Sequence, residues 1–355
     1  YVMKRNMLAK KLMAGVLTGT MVMSMGMTAF AETNQQIDLT KKVTTDGNTY
    51  APKTTFAFEI SNGAADSSGS PVISAGITDG LKLNGANDFS FAPSGETPAS
   101  EYVKTGKIDV NMEKFTQPGI YHYEVKETIP NPGYEGITYS GTTYDLYVYI
   151  TDTDGDGITE LVGITTEIAD SEEDAKATGI EFVNDYGGTH DVTIRKEVGG
   201  NQGDVNHEFT FDISVNGDDG EWYKVIKTLK DGSTVETSIQ SDSAAVTYTL
   251  RDDESIQIFG LSESDVYTVV EKDNGGDLTG YVTEIETVKV DTESTTDSLT
   301  QTGTVTDDGA TVVYTNTKNV TTPTGIAMTF APYAVMVVFA GVFAVMFLRK
   351  KREDF

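Results

Sequence analysis

The chain has 355 residues, no cysteine, three histidines and a net charge of −28. Without cysteine a disulfide framework is impossible, and so few histidines give no sign of a transition-metal cluster, so no metal and no cofactor is expected. The acidity argues against nucleic acid or anionic lipid as a partner and for a hydrated, self-repelling surface.

Residues 1–31 read as a secretory leader. Lys4, Arg5, Lys10 and Lys11 precede an uncharged stretch from Leu12 to Phe30, and Ala29-Phe30-Ala31 offers small residues for cleavage before Glu32. An uncleaved membrane anchor shares all but that site. The chain opens on Tyr1, with Met3 and Met7 as candidate starts. Removing a leader of charge +4 and a tail of charge +2 leaves −34 on residues 32–324, a length that suits two sandwich-sized domains.

From Ile37 onward short alternating segments dominate, among them Phe56-Ala-Phe58-Glu-Ile60, Tyr144-Asp-Leu146-Tyr-Val148-Tyr-Ile150 and Phe209-Thr-Phe211-Asp-Ile213-Ser-Val215. Turn-rich stretches such as 61–70 and 216–220 separate them, a pattern that predicts all-β sandwiches. Asp152-Thr-Asp154-Gly-Asp156-Gly157 begins like a calcium-binding loop, but its twelfth position is Gly163 rather than glutamate and strand-like segments flank it. A Gly/Asp-rich hairpin turn is the expectation there. Ala169 to Thr178 reads as a loop. Gly187-Gly188 marks a very short boundary between a first domain, 32–186, and a second, 190–318.

Three polar residues recur in the same order in both domains, each on the apolar face of a predicted strand. Alternate strand residues share a face, so Lys41 lies with Ile37, Leu39 and Val43, and Lys196 with Val192, Ile194 and Val198. Glu127 and Glu271 close the matching strings Tyr123-Glu-Val125-Lys-Glu127 and Tyr267-Thr-Val269-Val-Glu271. Asn184 and Asn316 close Phe182-Val-Asn184 and Tyr314-Thr-Asn316. A buried amine, carboxyl and amide are the reactants for a self-made amide cross-link. Desolvation makes the lysine a neutral nucleophile, and the carboxyl is expected to polarise the asparagine carbonyl while ammonia leaves. Ion pairs capped by an amide are the plainer alternative.

These strings resemble the streptococcal pilin isopeptide-linkage family, the backbone pilins of Gram-positive sortase-assembled pili. The resemblance spans roughly residues 37–325 and rests on Pro118-Gly-Ile-Tyr-His-Tyr-Glu-Val-Lys-Glu127, Val192-Thr-Ile-Arg-Lys196 and Thr249-Leu-Arg-Asp-Asp-Glu-Ser-Ile-Gln-Ile-Phe-Gly-Leu261. It implies two tandem immunoglobulin-like (CnaB-type) sandwiches, each with one Lys-to-Asn bond, Lys41–Asn184 and Lys196–Asn316, assisted by Glu127 and Glu271.

The end of the chain is read in that light. An uncharged run at 326–348 is long enough to span a bilayer, and Arg349-Lys-Lys-Arg352 would hold the tail inside. Before it, Pro323-Thr324-Gly325 resembles a sortase signal, lacking the leucine and the intervening residue of the common Leu-Pro-x-Thr-Gly form. Residues 321–355 thus read as a cell-wall sorting signal, with membrane contact only before sorting. The implied partners are a sortase, identical subunits, and peptidoglycan or a basal pilin. The family's acceptor lysine places Lys176 as the candidate amine for polymerisation, with Lys53 as the alternative. A structural shaft subunit at the cell surface is the leading expectation; a monomeric wall-anchored adhesin is the other. No enzyme for external substrates is expected.

Overall fold

A computed structural model describes residues 36–84, 88–93, 97–169, 177, 179–218, 220–288, 299–320 and 336–337. The leader, Lys176 and Pro323-Thr324-Gly325 lie outside the described residues, as does the 326–348 run apart from Met336 and Val337. Among the described residues no helix is long and apolar enough to cross a membrane.

The first eleven strands are β1 (Gln36–Thr44), β2 (Thr54–Thr55), β3 (Ala57–Asn62), β4 (Ile73–Ala75), β5 (Leu81–Leu83), β6 (Ser90–Phe91), β7 (Glu101–Val110), β8 (Gly119–Thr128), β9 (Thr143–Thr151), β10 (Glu160–Ile168) and β11 (Ile180–Asp185). One sheet runs β11-β1-β7-β5 and the other β10-β9-β8-β3. Leu39 and Val43 from the first meet Val125, Leu146 and Val148 from the second in one core. Alternation explains why: inward residues of β1 are buried and outward ones are not. β9 is buried along both faces. Its Tyr147 and Tyr149 form a satellite cluster with Ile73 and Ile120, under β4. There His122 stacks on Tyr147 and its Nε2 lies 2.7 Å from Asp145 Oδ1. Gly63 is required beside it, since a Cβ would fall 2.2 Å from His122 Nδ1. The β9–β10 connection is the acidic turn, where Asp152 accepts from the N–H groups of Gly155 and Gly157.

Ten further strands follow: β12 (His190–Gly199), β13 (Phe209–Asn216), β14 (Trp222–Thr228), β15 (Thr234–Gln240), β16 (Val246–Leu250), β17 (Ser255–Leu261), β18 (Val266–Lys272), β19 (Val282–Val288), β20 (Thr300–Thr304) and β21 (Ala310–Thr317). They form sheets β15-β14-β17-β12-β21-β19 and β16-β13-β18-β20 around a second core. In both units the first strand pairs in parallel with the last, β1 with β11 and β12 with β21.

The two units dock through a polar knot. The hydroxyls of Tyr134 and Tyr186 donate to Glu221 Oε1, and the Tyr223 hydroxyl lies 2.8 Å from Glu221 Oε2 and 3.1 Å from Asp265 Oδ2. Glu221 and Asp265 are both buried. One phenolic proton cannot serve two carboxylates, so a carboxyl proton is favoured here. Accordingly burial, then the Glu221 charge, push Asp265 up to about 7, and burial also raises Glu221. Lys224 Nζ reaches Asn48 Oδ1 at 3.1 Å, and Tyr50 packs against Trp222 at the rim.

Candidate functional site: two buried lysine, glutamate and asparagine triads

The strand register brings each lysine to its asparagine. Lys41 faces Phe182 across the β1–β11 ladder and Lys196 faces Tyr314 across β12–β21, so each asparagine lies two residues beyond, on the same face. The glutamates come from the opposing sheets. Glu127 on β8 is paired with Phe58, and Glu271 on β18 with Phe211. Lys41, Asn184, Lys196 and Asn316 are completely buried and the two glutamates nearly so.

In the first site Lys41 Nζ lies 2.8 Å from Glu127 Oε2, while Asn184 Nδ2 donates to Oε1 at 2.7 Å. The carboxylate therefore bridges amine and amide. The Asn184 carbonyl turns the other way and accepts the backbone N–H of Ser140 at 2.8 Å. The geometry differs here from the sequence expectation: Glu127 touches the amide nitrogen, not the carbonyl oxygen, because the Ser140 N–H can only face an oxygen and so orients the amide.

In the second site Lys196 Nζ is 3.1 Å from Glu271 Oε1, which also accepts Asn316 Nδ2 at 2.7 Å. The Thr283 hydroxyl donates to Glu271 Oε2 at 3.3 Å, and Lys196 Nζ donates to the Tyr314 carbonyl at 3.3 Å. Asn316 Oδ1 is buried without a hydrogen-bond partner among the described residues.

Each ammonium also sits 4.4 Å from a ring centroid, Lys41 at Phe56 and Lys196 at Phe209. Burial pulls both lysines down to about 8, against the opposing hydrogen bond and charge of the partner glutamate. A quarter or more of each amine is thus neutral at pH values near 7.5 to 8, where an exposed lysine is almost wholly charged. A partly neutral amine and an amide, their two nitrogens touched by one carboxylate, together have the groups that acyl transfer from nitrogen to nitrogen needs.

Sequence reasoning passed over Phe56, Phe209, Ser140 and Thr283. The two phenylalanines stand on apolar-patterned strings, but nothing local says that they lie over a lysine. Ser140 and Thr283 reach the triads only through long-range pairing. Among the described residues three clusters bring metal-type ligand atoms within 4.8 Å of one another: His122 with Glu124 and Asp145, His190 with Glu263 and Asp307, and Asp152 with Asp154 and Asp156. None adjoins a triad.

Comparison with known proteins agrees with this architecture. Residues 37–187 match the family described as Spy0128-like isopeptide containing domain, and residues 190–318 match a domain family of unknown function. A curated "Pilin" of Streptococcus pyogenes serotype M1 is 29% identical over 260 residues, covering 70% of this chain and 72% of that protein. The crystal structure of the major pilin from Streptococcus pyogenes superposes with a TM-score of 0.60 at 24% identity, over 81% of this chain and all of that one. The major pilin protein (T-13) of the same species gives a TM-score of 0.56 at 26% identity, over 82% of this chain and all of that one. With its first unit matched to the isopeptide-containing domain and its fold matched to that of major pilins, the chain is similar in sequence and in fold to the streptococcal pilins.

Proposed function

We propose that this protein is the structural shaft subunit of a Gram-positive surface pilus, closed internally by Lys41–Asn184 and Lys196–Asn316 amide bonds that Glu127 and Glu271 promote. The observation that carries this reading is the duplication of one buried constellation at the same register in two independent cores. Each reaction runs once: the amine takes the acyl carbon and ammonia leaves. The protein turns over no external substrate.

The placement of the bonds suits a load-bearing fibre. The chain enters each unit on one strand and leaves it on the neighbouring parallel strand. Tension between the ends would shear that pair and unzip the sandwich; a covalent link across it carries the force instead. Export by the 1–31 leader, retention by the 326–348 span and tail, and sortase cleavage between Thr324 and Gly325 complete the reading. The Thr324 acyl group then passes to Lys176 of the next subunit, and at the base to peptidoglycan or a basal pilin.

Peptide mass spectrometry of the digested chain tests the internal bonds: each linked peptide pair should weigh about 17 Da less than the sum of its parts. Linear peptides at both asparagines would overturn that reading. Co-expression with the cognate sortase tests assembly. A ladder of covalent multimers that Lys176→Arg abolishes supports the shaft, whereas a single wall-linked band points to a monomeric surface protein.

A further inference from the structure

The two triads differ in what faces the asparagine carbonyl. In the first unit, Thr138 and Asp185 exchange both backbone hydrogen bonds, at 2.8 and 3.0 Å, outside any ladder. That bridge holds the segment before β9 against β11 and brings the Ser140 N–H onto Asn184 Oδ1 at 2.8 Å. In the second unit the neighbour of β21 on that flank is a full strand, β19, with Thr283 opposite Asn316. What it offers is a hydroxyl, and that goes to Glu271 rather than to the amide.

Resting on the isopeptide reading above, we propose that the Ser140 backbone N–H is the oxyanion donor for the Lys41–Asn184 bond. It polarises the Asn184 carbonyl and holds the negative charge that gathers on Oδ1, which frees Glu127 to move protons between the two nitrogens. The step balances without an external reagent. The neutral Lys41 amine bonds to Asn184 Cγ, and the carbonyl electron pair moves onto Oδ1 against the Ser140 N–H. A proton from the attacking nitrogen passes to the Glu127 carboxylate, which returns one to Nδ2. The carbonyl reforms, the Cγ–Nδ2 bond breaks and ammonia departs; nothing is oxidised or reduced. Backbone donors suit this task because they are already oriented in a dry site before charge develops. Glu127 is placed for the shuttle, with one oxygen 2.8 Å from the nucleophile and the other 2.7 Å from the leaving nitrogen.

The test is made on the full chain in cell-free translation. The codon for position 140 is read either as serine or as its α-hydroxy analogue, which replaces the N–H by an ester oxygen and keeps the side chain. Samples are denatured at intervals, digested, and the Lys41–Asn184 and Lys196–Asn316 peptides quantified. The ester chain should form the first bond more slowly, on the order of 100-fold, and the second at the rate of the serine chain. An unchanged first-bond rate overturns the role of Ser140 alone; absence of the first linked peptide even in the serine chain overturns the isopeptide reading with it. A second measurement decides the matter if the ester chain does not fold. In the unreactive Lys41→Met chain, the Ser140 amide should exchange slowly with solvent, and Asn184→Ala should restore fast exchange. Exchange indifferent to Asn184 overturns the proposal.

Discussion

Replacing Glu127 by glutamine tests the proposed covalent staple apart from the fold that would form it. The amide keeps the size of the side chain and an oxygen to accept Asn184 Nδ2, but it cannot take the proton from Lys41, so the first bond should not form. The proposed bond would close a loop of 143 residues between positions 41 and 184. Chain entropy assigns such a closure about 5 kcal/mol at 25 °C. A unit of the size matched at 37–187 unfolds with an entropy near 0.3 kcal/mol/K, so its transition should fall by about 15 °C. Lys41, now without its carboxylate, adds a penalty where it is charged. Working at pH 9, above its depressed pKa of about 8, keeps that contribution small. Calorimetry of Glu127→Gln beside the unaltered chain should show one transition shifted and the transition of the second unit in place. The digest should show the Lys41 and Asn184 peptides unlinked. An unlinked chain that melts with the unaltered protein would refute the entropic argument; a linked Glu127→Gln chain would refute the need for the carboxylate.

Three other outcomes follow from the geometry. Because both lysines are held near 8 by burial, the neutral nucleophile grows about tenfold per pH unit up to 8 and then saturates; time courses of linked peptide between pH 6 and 9 should follow that curve, and a flat profile would contradict it. Thr283→Val removes the donor to Glu271 Oε2 and should slow the second bond about tenfold, the order of a hydrogen bond to a charged group, leaving the first bond untouched. Asp265, raised by burial and by Glu221 to about 7, binds its proton more tightly when folded than when unfolded. Its contribution therefore favours the folded junction below pH 4 and is lost as pH rises to 7, by up to about 4 kcal/mol. Melting of the second unit should show that acid-side gain, and Asp265→Asn should flatten it.

The burial of the triad residues was legible in strand parity. A period of two leaves a side chain only two faces, so a lysine among Ile37, Leu39 and Val43 had one destination, and the same holds for Lys196. The all-β class followed from the same alternation and from turn residues at regular intervals. What sequence could not show is how distant segments meet. Parallel pairing of β1 with β11 sets Lys41 two register positions short of Asn184, but no local signal fixes that offset. The orientation of the Asn184 amide depends on a backbone N–H 44 residues away, and a backbone group has no letter of its own. The knot of Tyr134, Tyr186, Glu221, Tyr223 and Asp265 draws on both units. Each of those residues is an ordinary polar residue in its own segment. Burial turns them into a proton-sharing junction, and burial is a property of the assembled chain, because the cost of desolvating a charge depends on every surface packed around it.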